Sequence, residues 1–488
     1  MSLPATLRRK TFALVIGAAL AGTVAPTQAR DVSMADLMQE LKRLSTRVEK
    51  LEQRNSELEK ALANEHVSEK EPELAARLKA VESQALGMQK PTRAIEALEG
   101  VTAGVSFTTV AQGVNGGGTT DRTGESQLNY RADVMVELPT GSIGNAEGKL
   151  FGHFRMGQGN GLGSLNPTFS GPNTTAFQLG GVTRADDSAA LLAQAWYQAD
   201  IPLPLGGFKD RSREKMSVNF GKMDPFLFFD QNAAANDETR QFLNNVFVHS
   251  PMLDAGGDIG ADAYGFAPGM RLAYLNETQK PETYGLSAGV FAADAGANYG
   301  KSFGSPFVIL QAETTQKFFG GLDGNYRLYL WQNGRAAAYR NSSDSGRERH
   351  KGWGVSADQR VGDATTLFGR YGHQTQGRVK FDRALTLGAE FGGSYWDRAG
   401  DALGVAFAHL RTSNDFKRDS LTLDANADGT ADFGYQADGA ERVAEVYYRW
   451  RLAKQFEITP DVQFIRRPGG DGTKPGIEIV GARAQLTF

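Results

Sequence analysis

Cysteine is absent from this 488-residue chain, so neither a disulfide framework nor a thiolate site contributes to its fold or chemistry. An excess of one charge is also missing, because 53 Lys and Arg residues stand against 56 Asp and Glu residues. This balance excludes the basic footprint of a nucleic-acid-binding protein. Proline is sparse at 17 residues while glycine reaches 58, which excludes a proline-rich disordered chain and indicates many turns.

Long apolar runs are missing too, apart from one near the N-terminus. The run TFALVIGAALAGTVA at 11–25 follows Arg8, Arg9 and Lys10 and precedes the small-residue site TQA at 27–29, the order found in secretory signals. It is shorter than the roughly 18–20 residues that a spanning helix requires. We therefore predict a signal peptide at residues 1–29. Any membrane crossing by the exported chain must then use a closed β-barrel.

A heptad repeat occupies residues 34–62, with leucine at the d positions 37, 44, 51 and 58 and charged residues flanking the seam. The stretch RVEKLE at 47–52 resembles a trimer-favouring coiled-coil motif. The repeat predicts an α-helical coiled coil in the periplasm, within a segment of residues 30–99, that assembles a homotrimer. A single amphipathic helix packed on its own domain is the alternative.

From about residue 100 onward, apolar and polar residues alternate with the period of β-strands. The segments YRADVMVEL (130–138), VYYRWRL (446–452) and FEITPDVQF (456–464) are examples. We predict sixteen such segments, each close to the 9–11 residues of a tilted membrane strand. The connections between them are alternately short and long, as in outer-membrane barrels. Residues 100–488 are therefore predicted to form an all-β domain, a transmembrane antiparallel β-barrel of about sixteen strands.

A soluble β-sandwich would show the same alternation, with its apolar faces turned inward. Two features favour the membrane barrel. The faces opposite the apolar ones carry Arg, Glu, Asp and Gln along nearly every predicted strand, which suits a water-filled lumen. Aromatic residues also lie near strand ends, as a membrane-interface girdle requires. The last strand, VGARAQLTF, accordingly ends on the aromatic Phe488.

Residues 223–261 form the third long connection, and a connection of this length in a compact domain usually has a function. Within it, NDETRQFLNNVFVHSP (236–251) resembles the signature loop of carbohydrate-selective porins of the OprB type. The C-terminal stretches FEITPDVQFIRRPGG (456–470) and IVGARAQLTF (479–488) resemble the same family. The resemblance implies a water-filled channel in the outer membrane for passive diffusion of small carbohydrates, narrowed by an inward-folded third loop.

Two sets of polar residues are candidates for contact with solute, because polyols require hydrogen bonds that are weak enough to release them. The channel-lining candidates lie on the charged strand faces: Arg131, Asp133, Glu137, Arg155, Arg327, Glu445, Arg449, Arg451, Glu457, Asp461 and Arg483. The constriction candidates lie in the third long connection: Asp230, Asn232, Asn236, Asp237, Glu238 and Arg240.

Two other functions remain open on the sequence. Arginine exceeds acidic residues in the later predicted strands, which suits a porin that prefers anions or dicarboxylates, or a general porin, equally well. The coiled coil alternatively suits a structural tether between the outer membrane and the cell wall. The expected partners are further copies of the chain, outer-membrane lipid and lipopolysaccharide, small polar solutes and, for a tether, the cell wall.

Two motifs point to other chemistry. Asp424, Asn426 and Asp428 are spaced like the start of an EF-hand loop, but Tyr435 replaces the bidentate glutamate. A weakly bound calcium ion is therefore the one cofactor to consider. The stretch GLSAG at 285–289 matches a nucleophile motif, but it lies within an alternating segment instead of a strand–turn–helix. No enzyme is predicted.

Overall fold

The computed structural model describes residues 101–177, 188–204, 212–253, 265–293 and 304–488, together with the backbone of Arg93–Ala94. The predicted signal peptide and coiled coil lie outside the described residues. Within the described ranges, no helix is long and apolar enough to cross a membrane.

Sixteen long strands account for most of the described chain. They are β1 Thr102–Val114, β2 Glu125–Ile143, β3 Ala146–Gln158, β4 Ala189–Leu203, β5 Glu214–Met223, β6 Ala267–Gln279, β7 Glu282–Phe291, β8 Phe307–Phe318, β9 Leu322–Ala336, β10 Glu348–Gly362, β11 Thr365–Gln376, β12 Phe381–Gly392, β13 Ala402–Thr412, β14 Ala440–Ala453, β15 Phe456–Arg466 and β16 Ile477–Thr487. The connections contain two short helices, α1 Asn245–Val248 and α2 Asn414–Asp419. They also contain 3-10 turns at Gly116–Gly118, Pro225–Leu227, Ala338–Arg340, Gly393–Trp396 and Pro468–Gly470.

The strands form one closed antiparallel barrel. Each strand pairs with its neighbours in sequence, and β16 pairs with β1, so that Thr487 lies opposite Ser106 and Ile479 opposite Val114. Arg93–Ala94 adds a two-residue pairing with the start of β1. Closure leaves no long strand edge unpaired, as a sheet in hydrocarbon requires. The prediction of an antiparallel barrel of about sixteen strands is confirmed.

Each of the sixteen strands overlaps its predicted segment, with boundary differences of up to five residues, as at the end of β2, predicted at Leu138 and found at Ile143, and at both ends of β6. The alternation predicted a strand from residue 262, but β6 begins at Ala267. Gly265, just before it, has φ +90°, a backbone conformation outside the strand region that glycine adopts readily. Residues 262–264 of the predicted segment lie outside the described residues.

Large apolar side chains are exposed on the outer face of every one of the sixteen strands. Leu286 is 61% exposed and Leu330 is 53% exposed, whereas a soluble monomer keeps contiguous apolar patches small. Most of the charged residues of the same strands point inward. A barrel that spans a membrane has this arrangement, with apolar side chains on its outer face and polar side chains on its inner face.

The two ends of the barrel differ in the length of their connections. Short turns such as Lys280–Pro281, Asp363–Ala364 and Lys454–Gln455 join strands at one end, called here the short-turn end. The connections 159–188, 224–266 and 413–439 lie at the opposite, long-loop end. The start of β1 and the end of β16 lie at the short-turn end.

The buried apolar core lies inside the barrel, where the connection between β5 and β6, called here the third loop, packs against side chains of the strands and of other connections. Phe242 of this loop packs with ring centroids 5.5 Å from Phe368 and 4.9 Å from Tyr447 on the wall. Phe247 and Met252 are buried beside it. The described part of the third loop, residues 224–253, is therefore folded into the lumen.

Candidate channel constriction

One end of the third loop is held by Arg370 on β11. The Arg370 guanidinium is buried and donates from Nε to the Asp230 carboxylate at 3.1 Å. Its Nη1 donates to the Phe247 carbonyl at 2.8 Å, and its Nη2 donates to the Ala235 carbonyl at 2.7 Å. The Ser250 amide donates to the same Asp230 carboxylate at 2.5 Å. One arginine thus ties several separate points of the loop to the wall.

Further round the wall, acceptors on β14 and β15 hold the middle of the loop. Both oxygens of Glu445 accept loop amides, from Leu243 at 2.6 Å and from Asn244 at 3.0 Å. The Asn244 side chain donates to Gln463 at 3.0 Å and also caps α1 by accepting the Val246 amide. A buried carboxylate that accepts two backbone amides is well satisfied without a cation.

The polar tip of the loop forms ion pairs with the inner wall. Arg240 makes a bidentate pair with Glu457, at 2.6 Å from Nη2 and 3.0 Å from Nε. Glu238 pairs with Arg131 of β2 at 2.8 Å, and the Glu238 carbonyl accepts from Arg483 of β16 at 2.8 Å. The loop therefore crosses the lumen from β11 to the seam between β16, β1 and β2.

Asp133 extends this cluster along β2 and β3. Its carboxylate accepts from Arg131 at 2.9 Å, from Arg155 at 2.7 Å and from His153 Nε2 at 2.7 Å. Burial by itself would raise the pKa of Glu238, but the nearby guanidinium groups of Arg131 and Arg155 outweigh it and lower that pKa to about 2. Glu238 is accordingly an anion over the whole physiological pH range.

A second loop, between β3 and β4, covers the third loop from the long-loop end. The Thr174 amide donates to the Leu243 carbonyl at 2.9 Å, and the Asn245 amide donates to the Gly171 carbonyl at 2.9 Å. Glu441 of β14 accepts the Phe169 amide at 2.8 Å and the Ser170 amide at 2.9 Å. The lumen is narrowed by two loops, of which the sequence predicted only one.

The strand register places all of the channel-lining candidates on the inner face. Arg131, Asp133, Glu445, Glu457, Asp461 and Arg483 are nevertheless buried. Most of this set bonds the two loops directly, and the rest packs beneath them. The two loops fill the space in front of these residues, and their contact with solute stays a prediction. Arg155, Arg327 and Arg449 keep 14%, 12% and 11% side-chain exposure. Glu137 pairs with Lys149 at 2.9 Å, and Arg451 is partly exposed.

The constriction candidates divide in the same way. Asp230 and Asn232 are buried at the wall, where Asn232 donates to the Ala357 carbonyl at 3.1 Å, so they anchor the loop instead of lining it. Asn236, Asp237, Glu238 and Arg240 are partly exposed at the tip. Asp237 shapes that tip by accepting the Thr239 amide at 2.9 Å.

Several inner-face residues were missed by the sequence reasoning. Arg370 is the most important of them. It lies on the face of β11 opposite the apolar side chains, and this alternation could have identified it as an inner-face residue. Asp358 was missed as the partner of Arg327, at 3.1 Å. The partly exposed ring of Phe228 was also missed; it lies 5.6 Å from the Trp196 ring and 4.9 Å from the Arg271 guanidinium.

The predicted calcium ligands lie in the connection between β13 and β14 and bond their own turn. Asp424 accepts the Gly429 amide at 2.8 Å, and Asp428 accepts the Thr430 amide at 2.8 Å. In the part of the chain that the structure describes, no group of three or more His, Cys, Asp or Glu residues is placed to hold a metal ion. Calcium binding by Asp424, Asn426 and Asp428 stays a prediction.

A closed sixteen-stranded barrel with an apolar outer face, a charged inner face and an inward-folded third loop is the architecture of a porin. Within that class, the sequence profile of the carbohydrate-selective porin, OprB family, matches residues 141–488, and the chain belongs to this family. Fold and family together imply an outer-membrane location.

Individual relatives are distant. Porin B of Pseudomonas aeruginosa strain PAO1 is 25% identical over 190 residues, covering 34% of this chain and 42% of that protein. The chain thus spans less than half of the length of this curated relative. The high-pH structure of Pseudomonas putida OprB superposes with a TM-score of 0.61 at 19% identity, over 80% of this chain and 94% of that one. This likeness is one of fold.

Proposed function

We propose that the barrel is a water-filled channel for passive, non-enzymatic diffusion of small neutral carbohydrates, with its selective region at the tip of the third loop. The observation that carries the proposal is the pairing of charges there. Arg131 and Arg155 share Asp133, Arg240 pairs with Glu457, and Arg327 pairs with Asp358. Paired charges keep many hydrogen-bonding groups but attract ions of either sign only weakly.

The partly exposed groups beside these pairs suit a polyol. Arg155, Glu238 and Arg240 present donors and acceptors that a hydroxyl group can bond briefly. Phe228 adds a flat apolar surface, on which the carbon face of a sugar ring can stack. Such contacts are individually weak, so that solute both enters and leaves, as a diffusion channel requires.

Liposome swelling tests this proposal directly. Proteoliposomes would be assayed with a pentose, a hexose, a disaccharide and a dicarboxylate of hexose size. We expect the neutral monosaccharides to enter faster than the dicarboxylate, and the disaccharide to enter slowest. Faster entry of the dicarboxylate, together with an anion-selective reversal potential, would replace the carbohydrate proposal by the anion-preferring porin.

Trimer formation is a separate proposal, supported by the heptad repeat at residues 34–62. Deleting these residues should convert a trimer to a monomer by light scattering in detergent, while the sugar swelling rate per barrel stays the same. A monomer before deletion would refute the trimer. Loss of envelope integrity with unchanged sugar uptake would favour the tether role.

A further inference from the structure

The outer face of the barrel carries a row of basic residues at the long-loop end of four neighbouring strands. We define the basic row by its members in strand order: Arg383 on β12, Arg411 and His409 on β13, Arg442 on β14 and Arg466 on β15. Arg383, Arg442 and Arg466 are exposed. Within the described part of the chain, the side chains of these three form no hydrogen bond or ion pair with the protein.

The register sets like charges directly opposite one another. Arg383 faces Arg411 and Arg442 faces Arg466 across adjacent strands, and the imidazole of His409 lies opposite Arg442. Such pairs bring Cβ atoms to about 5 Å and are destabilising when the charges have the same sign. Within the row, only Arg411 has a carboxylate partner, Asp382 at 3.2 Å, and exposed Glu478 on β16, opposite Phe464, is a further acid on this face. The row as a whole carries a net positive charge.

The height of the row matches the headgroup level of a membrane. Leu385 follows Arg383 by two residues, and Phe464 precedes Arg466 by two residues, and both of these apolar side chains are exposed. Two strand residues span about 7 Å. The guanidinium groups therefore lie immediately above the apolar belt, where acyl chains end and lipid phosphates begin.

The row lies on one flank of the barrel. Near the long-loop ends of β2, β6 and β8, the outward side chains are Leu128, Met270 and Val308. General attraction to a charged membrane surface would not require the basic residues to cluster on adjacent strands. A multivalent anion bound on one flank would require this clustering.

We propose that the basic row binds the phosphate groups of an anionic glycolipid of the outer leaflet, whose acyl chains lie on the apolar belt below. Arginine suits this partner, because its planar guanidinium forms bidentate hydrogen bonds with phosphate oxygens. Direct continuity between row and belt favours a lipid over a free phosphate ion, since a free ion has no use for the apolar surface. The bound phosphates would also remove the cross-strand repulsion.

Native mass spectrometry of the full-length protein in detergent tests the proposal, with bisphosphorylated lipid A as the probe. The variant is Arg442→Gln/Arg466→Gln, which removes one directly opposed pair. The control, Lys280→Gln/Lys454→Gln, removes the same number of charges in turns at the short-turn end. Dephosphorylated lipid A and inorganic phosphate form the other arms. Heat-modifiable migration and single-channel conductance verify that each variant is folded.

We expect the double arginine variant to bind lipid A about 30-fold more weakly, from about 1 kcal/mol per basic residue at an anionic surface. The lysine control should bind as the unmodified protein does, and Arg442→Lys/Arg466→Lys should keep most of the affinity. The affinity of dephosphorylated lipid A for the unmodified protein should be no higher than the affinity of lipid A for the double arginine variant. Equal binding by the arginine variant, or binding that is indifferent to phosphorylation, would overturn the proposal. Binding of inorganic phosphate as tightly as lipid A would replace the lipid site by an ion site.

Discussion

Substitution of Arg370 by glutamine should release the third loop from the wall of the barrel. Arg370 and Asp230 are both fully buried, with 0% side-chain exposure each, and the arginine also bonds loop carbonyls. Removing one partner of a buried ion pair costs about 3–5 kcal/mol, because the other charge stays buried without compensation. Since each 1.4 kcal/mol is a factor of ten, the released population should rise by roughly two orders of magnitude or more.

Single-channel conductance and disaccharide swelling measure this release. In Arg370→Gln, we expect larger and noisier conductance and faster disaccharide entry, because the loop no longer narrows the lumen steadily. The barrel itself should stay folded, because its strand ladder does not involve the loop. The matched control is Arg360→Gln on the neighbouring strand, where the arginine bonds only the Asp363 carbonyl of a short turn.

A double-mutant cycle sharpens the test. Asp230→Asn should resemble Arg370→Gln, since it leaves the arginine buried without its counter-charge. The double variant should be less disturbed than the sum of the two, because no unpaired charge remains. Unchanged conductance and unchanged sugar cut-off in Arg370→Gln would refute the argument that this arginine holds the constriction in place.

Three further predictions concern the tip and the outer face. Arg240→Gln leaves Glu457 without its bidentate partner, so the reversal potential in a KCl gradient should shift toward cation selectivity. An unchanged reversal potential would mean that this pair does not face the ion path. The pKa of Glu238 is lowered from 4.5 to about 2, so its ion pair stabilises the loop fully above pH 4.5 and loses this contribution as the pH falls through about 2. Conductance should therefore be constant from pH 7 to 4. A transition centred near pH 4.5 would contradict the ion pair. Leu330→Arg, in the middle of β9, should lower the free energy of unfolding in vesicles by about 2–4 kcal/mol. Ser126→Arg, near the end of β2, should lower it by at most about 1 kcal/mol. Equal effects would argue against burial of Leu330 in hydrocarbon.

Strand positions were predictable because they depend on a local property, the alternation of side chains between two faces. That alternation located all sixteen strands and assigned Arg131, Glu445 and Arg483 to the inner face. It was less accurate at strand boundaries, which differ by up to five residues at the end of β2 and at both ends of β6. It also could not separate residues that face the channel from those that lie beneath a loop, since both occupy the same face.

The roles of inner-face residues depend on contacts between segments far apart in sequence. Arg240 meets Glu457 and Arg370 meets Asp230 only because the third loop folds into the lumen, and no local pattern encodes where a loop tip lands. The second loop is a clearer case: its amides are held by Glu441 across the barrel, and the sequence showed only that the connection is long.

The sequence by itself therefore determined a chain without disulfides, a sixteen-stranded barrel and the side of each strand that meets hydrocarbon, because a strand in a membrane must separate its two faces. The tertiary structure decided which charges pair, which are buried as anchors and which stay accessible at the loop tip. It also decided that Arg383, Arg442 and Arg466 lie together on one flank, since strand register alone brings them side by side.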